Sequence, residues 1–435
     1  MSLIIRFTTF VQFFLASIVF GSGVGYGHIY MFHIALVILF IGWLFFYFKG
    51  FYTFIETPRS YYFYFFICMI LWYTLSIFWS IEPLYTIRYL FYILLGTSII
   101  FVVSVWSKNE IRYQSIFDVV KWIFVLQIFI SILEIFTPFR IPTSPYSDFV
   151  YFFNRKGTDF DIFTDDVVSL IKSAPTGFHG NPNSLAVVMV TILPFFLFDK
   201  RLSVKLLGLF SILVVVVCSG SRGAFIALLF GMMVYFFVKN KFIFIVISLF
   251  LFLSFNALLM NIEYLKGSQN KRIADMAYSG DVFLSFFMDS DDSGGSISVR
   301  QQLISNGIKA LKQTYGLGVG GGGSQAVQER LGGVNGRVTS MHNFWIEILV
   351  DAGVLFFLFF VMWYLLVLLE LYYIYKKSNT HFYRYHSGAL LVSFTTFAVA
   401  CVSASSTIYI LPMWLMFGLA IALISLNKTN TLEMT

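Results

Sequence analysis

The sequence predicts an all-α polytopic membrane protein, and three observations predict it. Of 435 residues, 58% are hydrophobic, 12% are charged and 54 are Phe. Ordinary soluble domains carry roughly 25% charged residues, and a soluble globule of this length could not hide so much apolar surface. Apolar runs long enough to cross a bilayer recur along the whole chain, separated by short polar breaks. Lys and Arg, finally, concentrate in alternate breaks.

Taken in order, the expected spans are 3–20, 30–48, 60–79, 87–106, 117–136, 184–198, 204–219, 223–238, 242–260, 344–374, 388–405 and 409–426. About twelve transmembrane helices in a single domain over residues 1–435 follow. The first run, after Arg6, has the outline of a signal peptide but no small-x-small cleavage site, and further spans come at once, so it reads as a retained helix. Between 204–219 and 223–238 only Gly220, Ser221 and Arg222 intervene, which requires a tight hairpin. Two long loops remain, 137–183 and 261–341. Loops of that length are usually functional or disordered.

Orientation follows from the basic residues. With the N-terminus cytoplasmic, 15 of the 29 Lys and Arg fall in cytoplasmic segments, from Arg6 to Lys428. Short loops on the other side hold only Arg88 and Arg222, and the remaining 12 lie in the two long outer loops. The positive-inside rule therefore puts both termini in the cytoplasm and both long loops outside.

Composition also excludes. The net charge of +7 is scattered between apolar runs with no basic stripe, which sets nucleic acid aside. Cys68, Cys218 and Cys401 all sit inside apolar runs and read as small hydrophobes, without disulfide or zinc spacing. No internal repeat of the secondary-transporter kind is visible.

Four features carry chemistry. Arg222 lies in Ser219-Gly220-Ser221-Arg222-Gly223-Ala224, at the start of a helix whose free N–H groups and dipole favour an anion. A cation gains nothing from that dipole, so an anionic partner is the natural explanation; the plainer alternative is an Arg snorkelling to lipid phosphate. His342-Asn343 opens a span at the membrane surface. A neutral imidazole there can accept a proton from a sugar hydroxyl, whereas the plainer alternative is an interfacial His beside an N-capping Asn. Arg300 lies with Lys309 and Lys312 in a helical stretch from Ser298 to Tyr315. Arg300 and Arg337 could converge on a diphosphate, or the stretch could lie on the bilayer as a solvated amphipathic helix. Gly177 to Asn183 reads as a turn before a span, with Asn183 as its cap and Asn181 and Asn183 within reach of a site.

Three other patterns read as empty. Gly318, Gly320 and Gly323 match G-x-G-x-x-G, but no strand precedes them and the loop lies outside the cytoplasm. Asp289 and Asp291 begin like a calcium loop, yet Arg300 stands where its bidentate Glu should be. The same pair as a sugar-nucleotide D-x-D has no nucleotide sugars available in an outer loop, and a solvated acidic loop is the simpler reading.

The order of these motifs resembles the O-antigen polymerase and ligase superfamily, the Wzy/WaaL group. The resemblance is carried by Trp79-Ser80-Ile81-Glu82-Pro83, Pro175-Thr176-Gly177 through Asn181-Pro182-Asn183, Ser221-Arg222-Gly223-Ala224, Arg300, Gly316 to Gly320, and His342-Asn343 followed by Gly353, over residues 70–410. It implies a GT-C-like helical membrane fold. It implies transfer of a glycan from undecaprenyl diphosphate at the periplasmic face of the bacterial inner membrane. His342, Arg300 and Arg222 would be catalytic, with Asn343, Arg337, Asn181 and Asn183 in substrate binding. Relatives carry Arg before Pro-Thr-Gly where this chain has Ala174, so Lys172 or Arg155 is the expected substitute.

A diphosphate leaving group needs neither nucleotide nor metal, and neither a cofactor nor a metal is expected. The implied partners are lipid-linked oligosaccharide donor and acceptor, membrane lipids and a chain-length regulator protein. Ligases continue from His-Asn into Gly-x-x-Gly-Thr, but here Gly353 runs into Val354-Leu355-Phe356-Phe357, which favours a polymerase with inversion. An O-antigen ligase and a polysaccharide flippase are the rival readings.

The 15-to-2 asymmetry generates a first test. Cysteines at Ser147 and Ser324 are expected to react with an impermeant thiol reagent applied outside the inner membrane, and one at Ser378 is not. The reverse pattern would overturn the orientation.

Overall fold

The computed structural model describes residues 2–48, 60–158, 171–242, 296–334, 338–404 and 406–434, together with positions 168 and 246. It is an all-α bundle. In chain order its helices are α1 (Ser2–Phe20), α2 (Met31–Phe48), α3 (Tyr61–Ser76), α4 (Pro83–Trp106), α5 (Glu110–Phe136), α6 (Pro182–Leu197), α7 (Leu202–Cys218), α8 (Arg222–Lys239), α9 (Ser296–Gln313), α10 (Gly323–Arg330), α11 (Phe344–Lys377), α12 (His381–Ala400) and α13 (Leu411–Met434). Between α1 and α2 sits a small antiparallel hairpin, β1 (Gly25–Tyr26) and β2 (Ile29–Tyr30), with Gly25 opposite Tyr30.

Local chemistry sets the helix starts. Asn109, Asn343 and Thr380 cap α5, α11 and α12 by accepting backbone N–H bonds. Pro83 and Pro182 stand in the first turns of α4 and α6, where their missing N–H costs nothing. Each expected span within the described residues corresponds to one of these helices, while the expected span at 242–260 lies outside them apart from Phe242 and Val246. By length and composition, α4, α5, α8, α11 and most of α13 can each cross a membrane. Helices α3, α6 and α7 are shorter, and α12 is more polar.

Burial sorts the helices into layers. Every residue of α6 from Leu185 to Leu197 is buried, as is nearly all of α13 to Leu426. With α12 they form the interior, α13 packing on α4 and α12 on both α6 and α8. On α4, Gly96 lies flat against Trp414 of α13, and a Cβ there would come within 2.1 Å of the indole. The outer layer shows bare apolar faces, such as Leu206, Leu207 and Phe210 on α7 and Leu355, Leu358 and Leu365 on α11. Such faces are stable only against lipid.

One helix is broken. At Gly353 of α11 the backbone turns to φ 82° and ψ 170°, a conformation essentially confined to glycine. The break frees carbonyls of buried residues, which need partners inside the protein. A glycine-rich strap, residues 316–322, supplies their partners. Val319 N–H donates to Val350 O (2.9 Å), Gly320 N–H to Asp351 O (3.0 Å), and the Trp72 indole N–H to Ala352 O (2.8 Å). In return, Val354 N–H donates to Gly316 O (2.9 Å). The Asp351 carboxylate accepts from Gly322 N–H (2.8 Å) and Ser324 N–H (2.7 Å), so it seats the start of α10. The glycines that match G-x-G-x-x-G are thus a backbone splint: a Cβ on Gly318 would come within 2.5 Å of Asp351 O.

Loops gather at the two ends of the bundle, and Ser147 and Ser324 prove to be buried. Asp148 and fully exposed Tyr315 replace them as outer labelling positions, with exposed Asn379 for the inner side. The break generates its own test. Gly353→Ala would place a Cβ within 2.3 Å of Leu317 O in a forbidden backbone conformation, a cost on the order of 1–3 kcal/mol or more. Its unfolding temperature in detergent should fall clearly. Gly42→Ala, with nothing within 4 Å of the added Cβ, should leave it unchanged. Equal melting of the two variants would remove the splint from the argument.

Candidate functional site

Three separated segments meet at one end of the bundle. Arg222 opens α8 after a compact turn, in which Ser219 Oγ donates to Val216 O (2.6 Å) and accepts from Ser221 N–H (3.3 Å), with Gly220 at φ +67°. Behind it, Gly223 lies against Ser403; a Cβ there would approach Ser403 Cβ to 2.6 Å, so only glycine lets the helix start sit this close to the 401–404 turn. Ser221 occupies the N-cap position but makes no capping bond, and its buried Oγ has no partner.

Arg300 comes from the first turns of α9. That helix packs against α10 and α11. Buried Gln328 of α10 donates to Leu303 O (2.9 Å) and accepts from Asn306 Nδ2 (2.9 Å), which fixes α9 in place. Lys309 and Lys312 are exposed on it. Burial and then the Arg222 guanidinium push the Arg300 pKa down. The two cations are therefore neighbours, and among the described residues no carboxylate is paired with Arg300.

His342 completes the group. Its backbone is left-handed, with φ +48°, an uncommon state for a residue with a Cβ. It is held there by the following cap: Asn343 Oδ1 accepts from Trp345 N–H (3.1 Å) and Ile346 N–H (3.3 Å), and Phe344 N–H donates to Cys401 O (3.2 Å). Burial and then Arg300 push the imidazole pKa below 6.5, and its Nδ1 is buried without a partner. At neutral pH the site thus holds two guanidiniums, a neutral imidazole and a buried hydroxyl at a helix N-terminus. That arrangement suits a polyanion of phosphate type beside an acceptor for a proton.

The other expected residues have the following contacts. Asn181, not Asn183, caps α6, accepting from Asn183 N–H (2.8 Å) and Ser184 N–H (3.4 Å). Asn183 occupies the second helical position because Pro182 fills the first. Arg155 donates to Ser22 O (2.5 Å) and stacks on Tyr30 (5.1 Å), so its contacts are with the β1–β2 end. The Lys172 side chain is exposed, and its carbonyl accepts from Arg140. Arg337 lies outside the described residues.

Several participants escape a sequence reading. Glu134, buried near the end of α5, accepts from Thr176 N–H and Gly177 N–H (2.7 Å each) and so anchors the Pro-Thr-Gly run. Arg140 reaches the same place through Glu134 O (2.6 Å). On the α4 side of α11, buried Glu347 accepts from Tyr89 (2.6 Å) and Ser406 (2.6 Å). Carboxyls inside apolar runs are a legible signal by themselves, but their partners are far away in sequence. No group of His, Cys, Asp and Glu suited to a metal occurs among the described residues.

Residues 184–361 match a family model described as O-antigen ligase. The matched stretch runs from α6 into α11 and contains Arg222, Arg300 and His342. No curated protein matches the chain.

The depressed imidazole generates a prediction about pH. The acid limb of kcat/KM for sugar transfer by the purified protein should report the free His342. Because burial and then Arg300 both disfavour the imidazolium, the midpoint of that limb should lie below 6.5. A midpoint at or above 6.5 would show that the limiting base is another group.

Proposed function

The chain belongs to the Wzy/WaaL O-antigen ligase superfamily, and from that premise we propose that it is a polysaccharide polymerase joining undecaprenyl-diphosphate-linked repeat units at the periplasmic face of the inner membrane. The observation that carries the reading is the juxtaposition of Arg222 and Arg300 at the start of α8, beside neutral His342. Two guanidiniums brought together make a place that a bound anion stabilises, and a diphosphate is an anion of suitable charge and oxygen geometry.

In this mechanism the donor diphosphate sits against Arg222, Arg300, the free N–H groups of α8 and the Ser221 hydroxyl. An acceptor sugar hydroxyl attacks the anomeric carbon of the growing chain. As the new glycosidic bond forms, the bond from that carbon to the diphosphate oxygen breaks, and its electron pair leaves with undecaprenyl diphosphate. The hydroxyl proton passes to the His342 imidazole. The guanidiniums act by offsetting charge as it grows on the leaving oxygen. A single displacement of this kind inverts the anomeric centre.

The polymerase reading rests on Val354-Leu355-Phe356-Phe357, which follows Gly353 where ligases continue to Gly-Thr. The matched family description favours the second reading, an O-antigen ligase that delivers finished polymer to lipid A–core. One experiment separates them. His342→Ala should lower transfer about a hundredfold to ten-thousandfold. In a polymerase it should leave lipid A–core capped by one repeat unit, because the separate ligase still works. In a ligase it should leave bare core, with polymer stranded on undecaprenyl diphosphate. Arg222→Lys and Arg300→Lys should give the same phenotype as His342→Ala at normal protein levels, since an ammonium lacks the bidentate fork. An unaltered lipopolysaccharide ladder in all three would reduce them to interfacial anchors.

A further inference from the structure

The end of the bundle remote from Arg222, which the charge asymmetry reads as cytoplasmic, holds a cleft that the proposed reaction does not use. One lobe, about 530 Å³, is lined by Lys121, Asp199, Lys200, Arg201 and His386. A second lobe, about 630 Å³, is lined by Gln12, Glu110, Ile111 and Asp118. The two share Gln114, Asp118 and Phe382.

The lobes have opposite character. In the first, Lys121 (3.1 Å) and Arg201 (3.4 Å) flank Asp199 and Lys200 adds a third cation, against Asp199 and the shared Asp118. The second is acidic. Asp118 at the junction is held by a built chain of hydrogen bonds: Gln114 Nε2 donates to Asp118 Oδ1 (2.7 Å), which turns Gln114 Oε1 towards His386 Nε2 (2.9 Å). The Nε2 of His386 must then carry the proton, and its Nδ1 is left buried without a partner in a side chain only 1% exposed. A buried histidine spent on orienting an exposed carboxylate beside a basic lobe is more than positive-inside charge requires.

An apolar side chain borders the cleft: Ile111 (82% exposed), in the first turn of α5, lines it, and Leu202 (66%) opens α7 directly after Arg201. Bare apolar groups at helix ends lie against acyl chains. A ligand for this place carries an anion and a cation a few ångströms apart, on an apolar tail. We propose that the cleft binds a phospholipid with a phosphoethanolamine headgroup, its phosphate among Lys121, Lys200 and Arg201 and its ammonium on Asp118. The ammonium offers three donors to a carboxylate, and the phosphate accepts from lysine and arginine together.

Native mass spectrometry of the delipidated full chain tests this without any assay of sugar transfer, so its outcome is independent of the proposed reaction. Phosphatidylethanolamine and phosphatidylglycerol with identical acyl chains are added in turn. The ethanolamine lipid should be retained preferentially. Asp118→Asn should abolish the preference, and Lys200→Ala combined with Arg201→Ala should weaken both lipids roughly tenfold. All three side chains are exposed, and an unchanged melting temperature certifies the fold of each variant. Equal retention of the two lipids by the wild type, or a preference that survives Asp118→Asn, would overturn the proposal. Displacement by water-soluble phosphoethanolamine at the lipid's own concentration would overturn the lipid assignment in favour of a free headgroup.

Discussion

The rest of the structure depends on one exchange of backbone hydrogen bonds. A helix that breaks where it is buried must return its carbonyls to partners, because neither packed side chains nor lipid supply them. The break at Gly353 is tolerated because residues 316–322 run alongside and pair with Val350 and Asp351. That pairing ties the loop segment carrying α9 and α10 to α11. It also reaches α4, since Ile81 N–H donates to Val319 O (3.0 Å) and Arg330 to Ile81 O (2.8 Å). Once the strap is in register, α9 is fixed over α11, and Arg300 has one place to go. The position of the candidate site is thus inherited from glycines that touch no substrate.

Electrostatics then works on a frame already rigid. Arg222 stands on a helix whose first turn is wedged against Ser403, and His342 stands on a capped, left-handed corner. Neither can relax away from Arg300 without breaking packing. Holding like charges and a neutral imidazole together in this way keeps the site poised for an anion. Preorganisation of this sort is what lets fixed groups stabilise a developing charge without further rearrangement.

Much of this was legible in the sequence, and the boundary is physical. Helices are local: their apolar runs, and caps such as Asn109 and Asn343, lie within the segment itself, so the expected spans in the described residues reappear as helices. The cap of α6 was misplaced by two residues because Asn181 and Asn183 flank the same proline, and only the path of the chain decides between them. Resemblance points to Arg222, Arg300 and His342 together, but no local pattern could show that α9 lies on α10 and α11. Arg155 and Lys172 are what charge and proximity in sequence offer beside the Pro-Thr-Gly run. That Glu134 and Arg140 also meet that run is not legible, because the return of the chain onto the end of α5 is a tertiary fact. The G-x-G-x-x-G glycines were recognisable as not nucleotide-binding, yet their task as a splint needed the partner helix in view.

The fit of Trp414 into the flat face of α4 at Gly96 has a consequence for biosynthesis. Trp414 is among the largest fully buried side chains of the protein, and about 300 residues separate α13 from α4. At roughly 5–20 residues per second of translation, α4 waits some tens of seconds in the bilayer before the indole that fills its groove has left the ribosome. During that interval the early helices have no finished interior. A nascent chain stalled before residue 411 carries α6 and α12 but leaves the face of α4 at Gly96 without the helix that covers it.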